Sequence, residues 1–271
     1  MSSNAAAQYP IETRKGEIER LGMQADAIAP DARVLLDRIG VATGWRCLDL
    51  GCGPRGITDL LSERVGPTGQ VVGLDRNEEF LAHGRAHVPP NVAFRHGDAG
   101  NTGMPSDSFD LVHMRFVAGT TSDPISLIRE AVRLTRPGGI VAAQEPETDT
   151  MCCYPPHPAW DKLMTAMEAV FVSAGADVHI ARRLHTLFAQ AGLSDVHYRP
   201  FLLGWGANDP MIDHLPATIE SLRSSILKLG LMTEEELPGV LAQCRAHLRD
   251  PGTVVRSFMV AQVWGRKAGL E

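Results

Sequence analysis

Cys47-Leu48-Asp49-Leu50-Gly51-Cys52-Gly53-Pro54-Arg55-Gly56 is the stretch that decides how this chain is read. An apolar run enters a glycine-rich turn, and Ile57-Thr58-Asp59-Leu60-Leu61 then opens a helix. A turn with so little side-chain bulk lets backbone amides and a helix N-terminus approach a ligand closely. A dinucleotide phosphate, a nucleoside triphosphate and the amino-acid end of a sulfonium nucleoside all suit it. No Gly-Lys-Ser or Gly-Lys-Thr follows the turn, which removes the nucleoside-triphosphate reading.

The surrounding chain bounds the answer. Its 271 residues are 44% hydrophobic and 21% charged, as expected for one large domain or one domain with a cap. A net charge of -6 with no basic run argues against a nucleic-acid-binding surface. No run of about eighteen apolar residues occurs, so no membrane span is expected. The polar, alanine-rich Met1 to Gln8 lacks the charged start and apolar core of a secretion signal. Cys47, Cys52, Cys152, Cys153 and Cys244 are an odd count with no Cys-x-x-Cys pair, which fits a reducing, cytoplasmic location.

Strand and helix signals alternate through the first half. Helical spacing predicts helices over 12–29 and 32–39, then strands at 46–50, 70–75, 92–95, 109–114 and 140–144. Helices are predicted between them at 56–65, 77–87 and 124–135, and Pro137-Gly138-Gly139 is a turn signal. Such alternation implies a parallel sheet covered on both faces, with ligands beyond the carboxyl ends of its strands. Gly51, Asp75, Asp98, Arg115 and Glu145 would then share one rim. In the second half a helical region at 159–191, which Gly175 can interrupt, precedes strands at 195–205 and 253–264. The two strands suggest an antiparallel hairpin closing the sheet, with helices at 210–249 inserted as a cap. The expected division is an N-terminal helical lid (1–43), a nucleoside-binding domain (44–206 and 250–267) and a cap (207–249).

Three carboxylates narrow the ligand. Asp49 stands two residues before the first glycine, where it can meet an ammonium group. Asp75 ends the next strand, where a carboxylate accepts both ribose hydroxyls. Gly97-Asp98 follows the third strand, within reach of an adenine amine. A nucleoside carrying an α-amino acid uses all three; a dinucleotide has no ammonium group for the first.

On these residues the chain resembles the class I S-adenosylmethionine-dependent methyltransferases, within the small-molecule group that includes quinone-pathway and natural-product enzymes. The resemblance spans about residues 44–145. It rests on Leu48-Asp49-Leu50-Gly51-Cys52-Gly53, Val71-Val72-Gly73-Leu74-Asp75, His96-Gly97-Asp98-Ala99, Ser108-Phe109-Asp110-Leu111-Val112 and Leu134-Thr135-Arg136-Pro137-Gly138-Gly139. It implies an α/β, Rossmann-like seven-stranded sheet, mostly parallel with an antiparallel last strand. It also implies S-adenosyl-L-methionine as cofactor and S-adenosyl-L-homocysteine as product. Carried onto matched positions, Gly51, Cys52 and Gly53 line the methionine moiety, Asp75 the ribose, and Gly97, Asp98 and Ala99 the adenine. Arg76 is a candidate for the adenine face, and Met114, Arg115 and Phe116 for the methionine carboxylate and sulfonium, with Arg115 the carboxylate partner. Two departures stand out. Arg55 occupies a position where relatives keep glycine. Arg115-Phe116-Val117-Ala118-Gly119-Thr120 replaces an Arg-x-x-Leu-x-His pattern, so no role passes to that histidine.

The acceptor side is less legible, because a sulfonium already activates its methyl group and asks mainly for alignment and proton removal. Glu145 and His113 are the candidate catalytic residues. The alternatives are an ionic partner for an arginine at Glu145 and a packed, satisfied histidine at His113. His214 opens the cap, where a solvated loop histidine is favoured over one reaching the pocket. Tyr9 and Gln24 are lid candidates. Glu79, His83 and His87 share a helical face, read as solvated rather than metal-binding. Cys152-Cys153 are read as small buried thiols in a loop from Thr148 to Pro158. Met151, Met164, Met167 and Phe171 form an apolar set, mostly core. The expected function is methyl transfer to an oxygen, nitrogen or carbon of a small molecule. A protein that binds the cofactor without transferring its methyl is the alternative, and a homodimer stays open.

Overall fold

In the computed structural model of the chain the described residues are 16–86 and 88–269. Tyr9 and His87 lie outside them. The two helices expected at the start are one, α1 (Glu17–Ile39), which continues through Pro30. A proline removes one helical hydrogen bond and crowds the preceding turn. Here Pro30 is exposed, while Ala25, Ile28, Ala32, Leu35, Leu36 and Ile39 keep one buried stripe running past it. The continuous apolar stripe outweighs the local defect.

Alternation follows as expected: β1 (Arg46–Leu50), α2 (Thr58–Val65), β2 (Gln70–Asp75), α3 (Glu78–Arg85), β3 (Val92–His96), β4 (Phe109–Arg115), α4 (Pro124–Leu134) and β5 (Thr135–Glu147). Next come β6 (Cys152–Tyr154), α5 (Pro158–Ser173), α6 (Leu184–Gln190), β7 (Leu193–Phe201) and β8 (Gly204–Gly206). The chain ends with α7 (His214–Ser221), α8 (Arg223–Lys228), α9 (Glu236–Leu248), β9 (Val254–Arg256) and β10 (Met259–Lys267). The main sheet has seven strands in the order β3-β2-β1-β4-β5-β10-β7, with β10 antiparallel to both its neighbours.

Each of the two late strands predicted from the sequence is broken into a long and a short piece. Leu203 N donates to Ser257 Oγ and Ser257 N to Leu203 O, both at 2.9 Å, so a side-chain hydroxyl replaces a ladder bond at the break. The short pieces form a separate three-stranded sheet in which β9 pairs with β8 on one side and, on the other, with β6, which holds Cys152 and Cys153. The expected loop around those cysteines is therefore partly strand.

One core lies between the main sheet and α4 and α6, and another between the sheet and α1 and α2. A third joins α5, α7, α8, α9 and the small sheet through residues such as Trp160, Leu163, Ile219, Leu237 and Val255. The helices of 207–249 thus share one core with α5 and the small sheet. None of the described helices is long and apolar enough to cross a membrane.

A line of buried polar side chains crosses the sheet on its α1 side. Arg199 Nη1 donates to Gln262 Oε1 (2.8 Å), and Gln262 Nε2 donates to Gln144 Oε1 (3.0 Å) and to Asp31 O (2.9 Å). Gln144 Nε2 then meets His113 Nε2 at 3.0 Å, and His113 Nδ1 meets Asp49 Oδ1 at 2.7 Å. Arginine has no acceptor, so each amide in turn has only one satisfied orientation. His113 Nε2 must accept, and its proton sits on Nδ1, where Asp49 receives it. Replacing His113 with phenylalanine removes a hydrogen bond to a buried charge and leaves Gln144 without an acceptor. The expected loss is about 1.5–3 kcal/mol in urea unfolding; an unchanged midpoint and slope would remove the line's structural role.

Candidate functional site

Asp49 builds the glycine turn from beneath. The residue is 1% exposed, and Oδ2 accepts a hydrogen bond from Ile57 N at 3.2 Å while Oδ1 accepts one from His113 Nδ1 at 2.7 Å. Gly56 has φ 53°, and a Cβ there would lie 2.2 Å from Asp49 Oδ2. Glycine is therefore required at Gly56 and not one residue earlier. Arg55 does not intrude: its exposed side chain turns outward to Asp26 on α1 (2.9 Å) and to Asp59 (3.1 Å), tying the turn to the first helix. At Gly51, with φ 67°, a Cβ would approach Val117 Cγ2 to 2.5 Å.

A cavity of about 1190 Å³ opens at the carboxyl ends of the strands. The turn residues Gly51 to Gly56, with Asp75, Arg76, Gly97, Asp98, Ala99, Arg115 and Phe116, line it together. Asp75 accepts Gly53 N and Asn77 N, each at 2.8 Å, so its carboxylate is oriented by backbone amides on both sides. Asp98 is exposed and accepts Gly100 N at 2.7 Å. Arg115 Nη2 donates to Gly56 O at 2.9 Å, while Nη1 is buried without a partner. Burial pulls the Arg115 pKa below its ordinary value, with Asp49 opposing. A second hollow of about 1010 Å³ lies at the opposite end of the sheet, near Gln70, Val92 and Phe109. Sheets of this type bind ligands at the carboxyl end.

Phe116, Met167, Phe171 and Phe258 also line the cavity, as do Leu21 and Gln24 of α1. Met151 and Met164 instead pack in the cap core. Phe116 has φ 58°, a left-handed conformation that a bulky side chain adopts only under constraint. Its N–H donates to Gln144 O at 2.9 Å, and its ring meets Phe258 edge-on at 5.7 Å.

Glu145, a catalytic candidate from the sequence that also lines the cavity, supplies the rest of that constraint. It is wholly buried; Oε1 accepts Val117 N and Ala118 N at 2.8 Å each, and Oε2 accepts Gly119 N at 3.3 Å. Burial pushes its pKa up to about 7 against the three amides. The carboxylate holds the turn after β4 and is committed to it. His113 is corrected: it is 0% exposed, both nitrogens are bonded, and it does not line the cavity. Met114 is corrected as well. The two-residue period of β4 turns it away from the face of His113 and Arg115 into the core with Leu127 and Ala131. Of the helical trio, Glu79 and His83 are exposed. Glu147, Asp149 and His179 gather on the far side, where Arg182 already pairs with both carboxylates.

Two cavity residues, Arg20 and Phe258, had no distinct signal in the sequence, and a third, His214, was read there as a solvated loop histidine. Arg20 on α1 is buried, with Nε and Nη2 donating to Glu17 at 2.8 and 2.7 Å. Phe258 sits in the break between β9 and β10. His214, which opens α7, is only 8% exposed and lines the cavity, with Nδ1 lacking any partner. Desolvation first, and Arg20 second, push its pKa down from 6.5 to about 3.

The His214 shift has a stability consequence. Between about 3 and 6.5 the unfolded chain binds more protons here than the folded one, so stability rises with pH through that window and is lost on acidification. Glu145 acts with the opposite sign between 4.5 and about 7. Comparison with His214→Phe therefore isolates the histidine: the variant's melting temperature should fall less than the wild type's from pH 6.5 to pH 4. Parallel curves would contradict a neutral buried imidazole.

Comparison with known proteins agrees with this geometry. Residues 48–143 match the family described as a methyltransferase domain. A demethylmenaquinone methyltransferase of Geobacillus stearothermophilus is 31% identical over 189 residues, covering 64% of this chain and 81% of the relative. The YcgJ protein of Bacillus subtilis superimposes with a TM-score of 0.57 over 88% of this chain and 97% of its own, at 17% identity, a likeness of fold. Phosphoethanolamine N-methyltransferase 2 of Haemonchus contortus, solved with S-adenosyl-L-methionine, gives 0.54 over 87% of this chain and 51% of its own, at 19% identity. With 31% identity across 81% of that relative, on a seven-stranded sheet of this order, the chain belongs to the class I S-adenosylmethionine-dependent methyltransferases.

Proposed function

We propose that the cavity holds S-adenosyl-L-methionine at its polar end and a small, largely apolar acceptor at its aromatic end. In this reading Asp75 receives the ribose hydroxyls and Asp98 with Ala99 faces the adenine. Gly51, Cys52 and Gly53 flank the methionine moiety. The observation that carries it is Arg115: a buried guanidinium nitrogen without a partner, on the wall beside the glycine turn, suits a carboxylate. When bound, the sulfonium supplies an activated methyl group. The chain's own part is alignment and exclusion of water. Phe116, fixed in its left-handed conformation by Gln144 and the Glu145-held turn, stands on the cavity wall. Leu21 and Gln24 of α1 line the cavity, with Arg55 tying that helix to the glycine turn. The relatives' named substrate, demethylmenaquinone, is a quinone, which supports a ring-bearing acceptor.

Calorimetry should show S-adenosyl-L-methionine and S-adenosyl-L-homocysteine binding while NAD is inert. Asp75→Ala and Arg115→Met should each weaken that binding by about 1.5–3 kcal/mol, the range for a hydrogen bond to a charged group. Wild-type affinity in either variant would remove that residue from the cofactor site. A labelled methyl group that never leaves the cofactor across a broad panel of acceptors would favour binding without transfer.

A further inference from the structure

We propose that His214 is the proton acceptor for the methyl acceptor, and that the acceptor is an apolar ring molecule bearing a hydroxyl group. The proposal rests on the division of the cavity given above.

His214 stands on the aromatic end of the cavity, 5.9 Å from the Phe258 ring and 5.9 Å from the Trp205 ring, measured between centroids. An imidazole this deeply buried ordinarily has both nitrogens satisfied, and a buried polar atom without a partner marks a place where something else is meant to bind or react. Its carrier, α7, is tied to α1 independently of the ring: Ser221 Oγ donates to Glu17 Oε2 at 2.9 Å. The ring is therefore held in place by backbone and packing, leaving its nitrogen chemistry unused.

The other titratable groups on this wall are already engaged. Glu145 accepts three amides, and Asp49 accepts Ile57 N and His113. Asp177 pairs with Arg183 and accepts His179 N. Arg20, the charged group on α1 that faces His214, is bidentate on Glu17, which also accepts the Ser221 hydroxyl at 2.9 Å. That arrangement places a compensated cation near the imidazole, and among the described residues no carboxylate is hydrogen-bonded or ion-paired to it. The imidazole enters the reaction neutral, with a lone pair to receive a proton.

A weak base is sufficient. A ring hydroxyl becomes far more acidic as its electron pair is drawn into a new bond, so the proton can leave as the methyl group arrives. The acceptor O–H bond breaks and its proton joins the imidazole. The electron pair forms the new bond to the methyl carbon, at the oxygen or at the conjugated ring carbon beside it. The sulfur–methyl bond breaks with its pair retained on sulfur, leaving a neutral thioether. One positive charge thus passes from sulfonium to imidazolium, and the proton goes to water when product leaves. The aromatic wall of Phe116, Phe171 and Phe258 suits a flat ring, whereas an ammonium or a carboxylate acceptor would find no free counter-charge at that end.

The test uses wild-type protein, His214→Phe and the polar isostere His214→Asn, with S-adenosyl-L-homocysteine and a chromogenic nitrophenol as probes. Calorimetry should give all three proteins the same S-adenosyl-L-homocysteine affinity within about twofold, which also establishes that the variants fold. In that complex wild type should bind the nitrophenol at least about tenfold more tightly than His214→Phe. Across a panel of ring hydroxyl compounds, both variants should lose about 100-fold or more in kcat, and a wild type that turns over amines but no hydroxylated ring overturns the acceptor class. Retained kcat with intact cofactor binding in His214→Phe overturns the role of the histidine. Failure of wild type to bind S-adenosyl-L-homocysteine would instead sink the cofactor reading beneath it.

Discussion

Arg199 can only donate hydrogen bonds, and that one-sidedness sets the direction of every polar contact across the middle of the sheet. From Arg199 through Gln262, Gln144 and His113 to Asp49, each group has one orientation that satisfies its neighbours. The line starts beside α1, where Asp31 accepts from Arg199 at 2.7 Å, and ends under the glycine turn. A buried network with every member satisfied is rigid, because breaking one link leaves unpaired groups on both sides. The glycine turn therefore rests on a carboxylate whose position is determined four strands away.

The second constraint is the turn after β4. Phe116, on the cavity wall, is held in a left-handed conformation. Such a conformation persists only when its surroundings over-determine it. Glu145 does so by taking the next three amides, and Gln144, its chain neighbour, holds the Phe116 amide through its carbonyl. One short segment of β5 thus serves the polar line with the Gln144 side chain and the aromatic wall with Glu145. Sheet alternation, which sends adjacent side chains to opposite faces, makes that double service available.

Local chemistry was legible in the residues themselves. The strand–turn–helix pattern at Cys47 to Leu61, the strand-ending Asp75 and Gly97-Asp98 are all read from neighbours in the chain, and the structure gathers them on one cavity. Where a local cue was misread, packing explains it. Pro30 looks like a helix end until the buried stripe through Leu36 is seen to continue past it. Glu145 sits on the rim as a catalytic carboxylate would, and it also accepts three backbone amides there. Met114 neighbours Arg115 in sequence and faces the opposite side of the sheet. Arg55 looks like an intrusion into the turn, yet only the position of Gly56 against Asp49 requires glycine.

The amino-acid sequence by itself determined the sheet, the family and the motif residues that meet on the cavity, because those depend on motifs whose residues are close along the chain. Tertiary structure alone decided the wall proposed to take the acceptor. There Arg20 of the first helix lies 3.5 Å from Thr218, 198 positions away, and His214 of the cap faces Phe258 across the same wall. No periodicity or spacing encodes contacts between elements so distant in the chain; they arise from how α1, α5 and α7 pack over the strand ends. The same packing turned a histidine that looks solvated in sequence into a buried imidazole whose Nδ1 has no partner. Desolvation by its neighbours, a property that no single residue carries, made that change.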